Sequence, residues 1–202
     1  FPEVIRLMDR RFKSNYTLRA LFRDEQRAIL QQILTSTLSE TDALYWQIYE
    51  RRAPMLRFLL DLQIPPPKPI HAAAELVLND QLRAALAEDV IDGVSVKNLL
   101  STATLERINL DTATLEFAYR HNLERIAKQF ESDPSEENLR TFDDAAALLA
   151  LLPFPVELWR VQNSFYISLE SAPARLHQRA RPGEQWRQRC ESLARNLRVK
   201  LD

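Results

Sequence analysis

Histidine and cysteine are the side chains from which a protein most readily builds a metal centre or a nucleophile. This sequence has three histidines and one cysteine. His71, His121 and His177 fall in different predicted segments, so nothing in the spacing unites them. His71 has Glu75 one helical turn away, and His121 has Glu124. A carboxylate-bridged di-iron bundle uses Glu-x-x-His from each of two helices and two further glutamates. Neither pair runs in that order, so no metal site and no cofactor are expected. Cys190 lies on the apolar stripe of the last predicted helix, where core packing is expected. A reactive thiol, its pKa lowered by Arg187 and Arg189, is the alternative.

The carboxylates number 28, yet no pair stands out. A glycosidase acid and its nucleophile must face each other across a cleft, roughly 5–10 Å apart. A continuous set of helices rarely offers such a cleft, and no catalytic residue is proposed. The C-terminal segment is basic, with Arg175, Arg179, Arg181, Arg187, Arg189, Arg195, Arg198 and Lys200. Without a glycine-aromatic or helix-turn-helix signature it reads as a solvated helix face with pairs such as Glu191–Arg195, and no nucleic-acid partner is expected. The aromatic residues carry more. Tyr45, Trp46 and Tyr49 cluster on one predicted helix, and Trp159, Asn163 and Tyr166 share a face of another. Such faces fill a core, seal a protein interface or stack on sugars.

The elements that must position these residues are helical. Gly93 and Gly183 are the only glycines in 202 residues, which leaves little for phosphate loops or nucleophile elbows. A long helical region is predicted from about Thr17 to Gln63, after a short amphipathic stretch over 3–13 and a break at Ser14-Asn15. Its polar middle, Thr35 to Asp42, is either an exposed part of one helix or a break, with Ser39 imitating a capping box. Pro54 should kink the helix or mark a restart. Pro65-Pro66-Pro67-Lys68-Pro69 predicts an extended connector. One or two helices follow over 70–90, with Asn79-Asp80 as a possible joint and Gly93 as a left-handed C-cap. Ser95 and Asp111 are read as caps of the next two helices. Asp133-Pro134-Ser135-Glu136 reads as capping Asp, Pro at N1 and Glu at N3. A helix over about 156–170 precedes an interruption at Pro173, a turn at Pro182-Gly183 and a last helix from Glu184 to Leu201. No strand pattern survives.

The formal net charge is −1, which supports neither a nucleic-acid nor a membrane-surface role. No apolar run approaches the roughly 18 residues of a membrane span, and no signal-peptide pattern is seen. One cysteine suits a reducing compartment, and a cytoplasmic location is expected. The sequence opens on Phe1 rather than methionine, so a C-terminal fragment of a longer chain is expected, with the chemistry upstream.

Two stretches carry a family resemblance. One comprises Gln47-Ile48-Tyr49-Glu50, Ala53-Pro54-Met55-Leu56-Arg57-Phe58-Leu59, Ile64-Pro65 and Ala72-Ala73-Ala74-Glu75-Leu76-Val77-Leu78-Asn79. The other is Leu152-Pro153-Phe154-Pro155-Val156-Glu157-Leu158-Trp159-Arg160-Val161-Gln162-Asn163. Both resemble the helical domain C-terminal to the catalytic domain of family-57 glycoside hydrolases, the α-amylase/α-mannosidase-like proteins. The resemblance implies a parent glycosidase whose carboxylates sit on an N-terminal β/α barrel, and none of those positions has a counterpart here. Three expectations follow. The fold is all-α, a single domain built as a bundle of about seven to nine helices with a long kinked N-terminal region. The function is that of a non-catalytic accessory domain, with a stand-alone interaction scaffold as the alternative. Trp46, Trp159, Arg160, Gln162, Asn163 and Tyr166 form the contact with the catalytic domain of the same chain or its glycan.

Overall fold

The computed structural model describes residues 18–176 and 184–200. The expectations for 3–13, Ser14-Asn15, His177, Arg179, Arg181, Pro182-Gly183 and Leu201 lie outside the described residues. Within them the chain is all-α, and no strand occurs among the described residues. In order, it forms α1 (Leu18–Asp61), α2 (Lys68–Ala87), α3 (Gly93–Leu105), α4 (Thr112–Ser132), α5 (Glu136–Ala147), a 3₁₀ turn (Leu148–Ala150), α6 (Trp159–Leu176) and α7 (Glu184–Asn196).

Helix α4 organises the bundle. It packs against α2, α5 and α6; α7 packs on α5, and α1 and α3 pack on α2. The reason is the apolar stripe Leu115, Tyr119, Leu123, Ile126 and Phe130, all buried at the spacing of one helix face. Around it lies the main core, which includes Leu82, Leu86, Leu139, Phe142, Phe165 and Leu193. A smaller core joins Tyr49, Ala53 and Leu56 of α1 to Ala74, Val77 and Leu78 of α2, with Ala103 and Ile108. Beside that core the wholly buried Glu106 accepts a 2.7 Å hydrogen bond from Arg57 Nε. Burial, then the neighbouring Glu106 carboxylate, pushes the Tyr49 hydroxyl up to about 12.

Helix α1 runs unbroken from Leu18 to Asp61, so its polar middle is the exposed part of one long helix and Pro54 marks no restart. Within the polar middle, Thr35 and Thr41 satisfy their hydroxyls inside the helix, donating to the carbonyls of Gln31 and Thr37, each at 2.8 Å. Ser39 is therefore an interior residue and caps nothing. Pro54 lies inside the helix on its exposed side, so the Glu50 carbonyl that loses its N–H donor can turn to water. Pro69 belongs to the first turn of α2, where a missing N–H goes unnoticed, and Pro67 is its N-cap. The connector thus ends two residues earlier than the prolines suggest. Helix α6 likewise continues through Pro173.

Several cap expectations are corrected. Asp111 caps α4 as expected, accepting from Thr114 N at 3.2 Å. The cap of α3 is Asp92, not Ser95: its carboxylate accepts from Val94 N. The cap of α5 is Ser135, accepting from Asn138 N at 3.3 Å. Asp133 instead closes α4 by donating its N–H to Gln129 O, and its own carbonyl accepts from Ser135 N. Asn79 is no joint but an interior residue of a single α2. Its amide donates to Asn109 O at 2.9 Å and accepts from Asp111 N at 2.7 Å, clamping the loop before α4.

Gly93 is the first residue of α3 and not a left-handed C-cap; no described glycine has positive φ. Its lack of a side chain serves close packing, because a Cβ there would stand 3.1 Å from Leu148 Cδ2. The left-handed positions fall on Gln63 (φ 57°), Arg107 (φ 53°) and Arg198 (φ 57°). Each ends a helix with the same pair of bonds. Ile64 and Gln63 donate to Leu59 and Leu60, Ile108 and Arg107 to Ala103 and Thr104, Val199 and Arg198 to Ala194 and Arg195. These are Schellman motifs with an apolar residue after the turn, closing α1, α3 and α7. A left-handed L-residue costs about 1–2 kcal/mol, of which a glycine would return part to unfolded-chain entropy. Replacing Gln63, Arg107 and Arg198 by glycine should therefore raise the unfolding free energy by about 0.5–1 kcal/mol per site, measured by urea titration. Destabilisation at all three would contradict the cap assignment.

Candidate functional site

The outer face of α4 and the start of α6 meet in a surface that combines exposed rings with paired charges. On α4, Phe117 and His121 are exposed on the side opposite the buried stripe, and Glu116, Arg120 and Glu124 flank them at 14–24% exposure. The Phe117 ring is 59% exposed. It stacks parallel on His121, 6.0 Å centroid to centroid, and the Arg120 guanidinium lies 5.6 Å from its centre. Arg120 reaches Glu116 at 2.9 Å and Glu124 at 3.4 Å, and the other oxygen of Glu124 is 3.7 Å from Arg160 Nη1 on α6. This chain of charges joins Phe117 to the turn that carries Trp159.

Of the residues expected at a contact face, Trp159 is 64% exposed and Tyr166 46%. Asn163 is also exposed, while Gln162 is half-buried. Two of the polar groups are already employed within the chain. Gln162 donates to Leu197 O at 2.8 Å and Tyr166 to Lys200 O at 3.3 Å, so they hold the segment after α7 against α6. Trp46 is 44% exposed on α1, and α2 and α4 intervene in the packing order between α1 and α6. The fold thus groups Trp159, Arg160, Asn163 and Tyr166, and Trp46 does not join them.

Phe117 and Arg120 were not singled out by the sequence reading. Their signal is the spacing Glu116-Phe117-x-x-Arg120-His121-x-x-Glu124, which places two ion pairs and a ring stack on one outer face. Beside this face an open groove of about 590 Å³ runs between α2 and α4, lined by Arg83, Asp89, Phe117, His121, Asn122 and Arg125 among others. Its cations have partners: Arg83 pairs with Asp80, and Arg125 with Asp89 at 3.0 Å. A second groove of about 260 Å³ is bordered by Arg195 and Arg198.

Among the described residues, no group of three or more His, Cys, Asp or Glu able to hold a metal ion is found. His71 faces Glu75 at 3.8 Å and His121 faces a phenyl ring. Glu106 is buried and lines neither groove. Cys190 is buried in the main core, and burial, then Asp143 and Glu191, pushes its thiol up to about 12. Arg189 does not activate it, since its guanidinium turns to Asp143 at 3.8 Å and Asp144 at 4.0 Å. Those pairs also neutralise part of the basic segment. Among the described residues, no helix is long and apolar enough to cross a membrane. Compared with protein-family models, curated proteins and solved structures, the chain matches none.

Proposed function

We propose that this chain is a non-catalytic accessory helical domain, which packs through the outer face of α4 and α6 against the catalytic barrel of a family-57-like glycoside hydrolase in the cytoplasm. The family part of this reading rests on the sequence resemblance alone. The docking part is carried by one observation: Trp159 and Phe117 expose more than half of their surface beside an arginine–glutamate ladder. Exposed aromatics and arginines are the residues enriched at protein contacts and at their energetic centres. Stacking of Trp159 on a sugar ring is the same face used toward glycan. A stand-alone interaction scaffold is the second reading, favoured by the exposed apolar length of α1.

The test is titration calorimetry of the 202-residue chain against the barrel domain encoded with it, and separately against a linear α-glucan oligosaccharide. Binding to the barrel is expected, with Trp159→Ala and Phe117→Ala each weakening it about tenfold or more. Binding to oligosaccharide alone would replace the protein contact by a glycan contact. Absence of both, or absence of any such barrel beside this sequence, overturns the accessory-domain reading.

A further inference from the structure

Helix α1 carries two apolar faces, and its own domain uses only one. Tyr45, Tyr49, Ala53, Leu56 and Leu60 turn to the smaller core. About 100° around the helix, by its 3.6-residue turn, a second stripe runs through Leu30, Leu34, Thr37, Thr41, Leu44 and Ile48. It continues past the end of the bundle. Every residue from 27 to 40 is exposed, and Leu30, Leu34, Leu44 and Ile48 are 58%, 60%, 60% and 41% exposed.

The steps along this stripe alternate between four and three residues, the spacing of a coiled-coil seam. Its chemistry also reads alike from both ends: Leu, Leu, Thr, Thr, Leu, Ile. A second α1 laid antiparallel, with the two-fold axis beside Ser39, sets Leu30 against Ile48, Leu34 against Leu44 and Thr37 against Thr41. Each layer occurs twice, as an isologous interface requires. The central threonines suit this layer, because Thr41 already satisfies its hydroxyl on Thr37 O and can turn its methyl to the seam. Beyond the six layers Arg27 would stand opposite Arg51, which ends the apolar match.

Ile33 and Leu38 flank the stripe and are 56% and 60% exposed. With the four aliphatic residues of the seam they offer six aliphatic side chains per copy. At about 100 Å² each, their complete burial would remove about 1,200 Å² over two copies, an upper limit that reaches the small end of specific interfaces. We propose that the chain forms a two-fold homodimer through this stripe, with the two α1 helices antiparallel and centred on Ser39. The contact lies on a different helix from the α4–α6 face and does not depend on what that face binds.

Sedimentation velocity over a micromolar concentration series tests it. The expected species has twice the 23.5 kDa chain mass. Leu34→Lys and Leu44→Glu should each give a folded monomer that keeps a helical circular dichroism spectrum, because neither side chain packs in its own domain; its thermal midpoint should lie below that of the dimeric parent and no longer vary with concentration. Mixing the two variants should restore a dimer, since the antiparallel register alone sets the new lysine against the new glutamate while the other Leu34–Leu44 layer stays intact. A parent chain that remains monomeric throughout overturns the proposal. So does a dimer indifferent to both substitutions, or a mixture that stays monomeric.

Discussion

Phe142→Ala is expected to lower the unfolding free energy by about 3–5 kcal/mol, the range for a wholly buried phenyl ring lost without collapse of the site. Phe142 has no exposed surface and sits where three helices meet. Its ring is 5.9 Å from Phe130 of α4 at 52°, and 6.2 Å from Phe165 of α6 at 81°. Tilted and edge-on pairs of this kind add to the area term. The substitution therefore removes apolar burial and two ring contacts at once, in a core whose other members are held on separate helices and cannot all move in. For a domain of this size the midpoint of thermal unfolding should fall by about 10 °C. Leu151→Ala, at a site 43% exposed, is the control and should stay within about 0.5 kcal/mol. Urea titration followed by circular dichroism measures both. A loss below about 1 kcal/mol for Phe142→Ala would mean that the three-ring cluster is not where the bundle is held.

Asn122→Ala should cost about 2–3 kcal/mol through a different term, the desertion of buried acceptors. Asn122 is 4% exposed on the inner side of α4. Its amide N–H₂ donates to Leu86 O at 2.9 Å and to Glu88 O at 2.7 Å, at the end of α2. Helix ends leave carbonyls without partners, and here one side chain of another helix supplies both donors. Its own oxygen accepts from Arg125 Nε at 3.2 Å and Nη2 at 2.9 Å. The Arg125 guanidinium in turn reaches Asp89, so a single residue organises the whole turn after α2. Asn122→Asp should be worse than alanine, because a carboxylate donates nothing and would face two carbonyl oxygens. Equilibrium unfolding ranks the two variants, and amide exchange over 86–92 shows whether the turn opens first. An alanine variant as stable as the parent would contradict the role.

Much of this architecture is legible from short-range rules. The buried stripe of α4 follows from residues recurring at helical spacing, and Asp111 caps it because Thr114 stands three residues on. The failures share a cause. Pro54 as a restart, Pro69 as connector and Pro173 as an interruption are not realised, since each local rule concerns one N–H and one steric contact. First-turn placement at Pro69 removes both penalties, and exposure at Pro54 leaves the Glu50 carbonyl to water. Asp133 and Ser135 are both able caps; α5 starts after Ser135, whose hydroxyl accepts from Asn138 N–H, while Asp133 closes the preceding helix on Gln129 O. Gly93 was given the left-handed turn that Gln63, Arg107 and Arg198 occupy. There the helix-closing bonds and the apolar residue that follows outweigh the steric cost.

The candidate surface divides in the same way. Trp159, Asn163 and Tyr166 share a face because 3.6 residues per turn put them there, a relation the sequence contains in full. That Trp46 is remote from them, that Gln162 is engaged by Leu197, and that Phe117 and Arg120 join Arg160 through Glu124 depend on which helix lies beside which. By itself, the sequence determined the all-helical class, most of the element positions and the outward faces, because these follow from periodicity and from contacts within four residues. Only the tertiary structure decided which helix lies beside which, and so which outward faces become one surface. That outcome turns on burial and on partners 26 to 53 residues away, from Tyr119 on Ala145 O to Asn196 on Asp143.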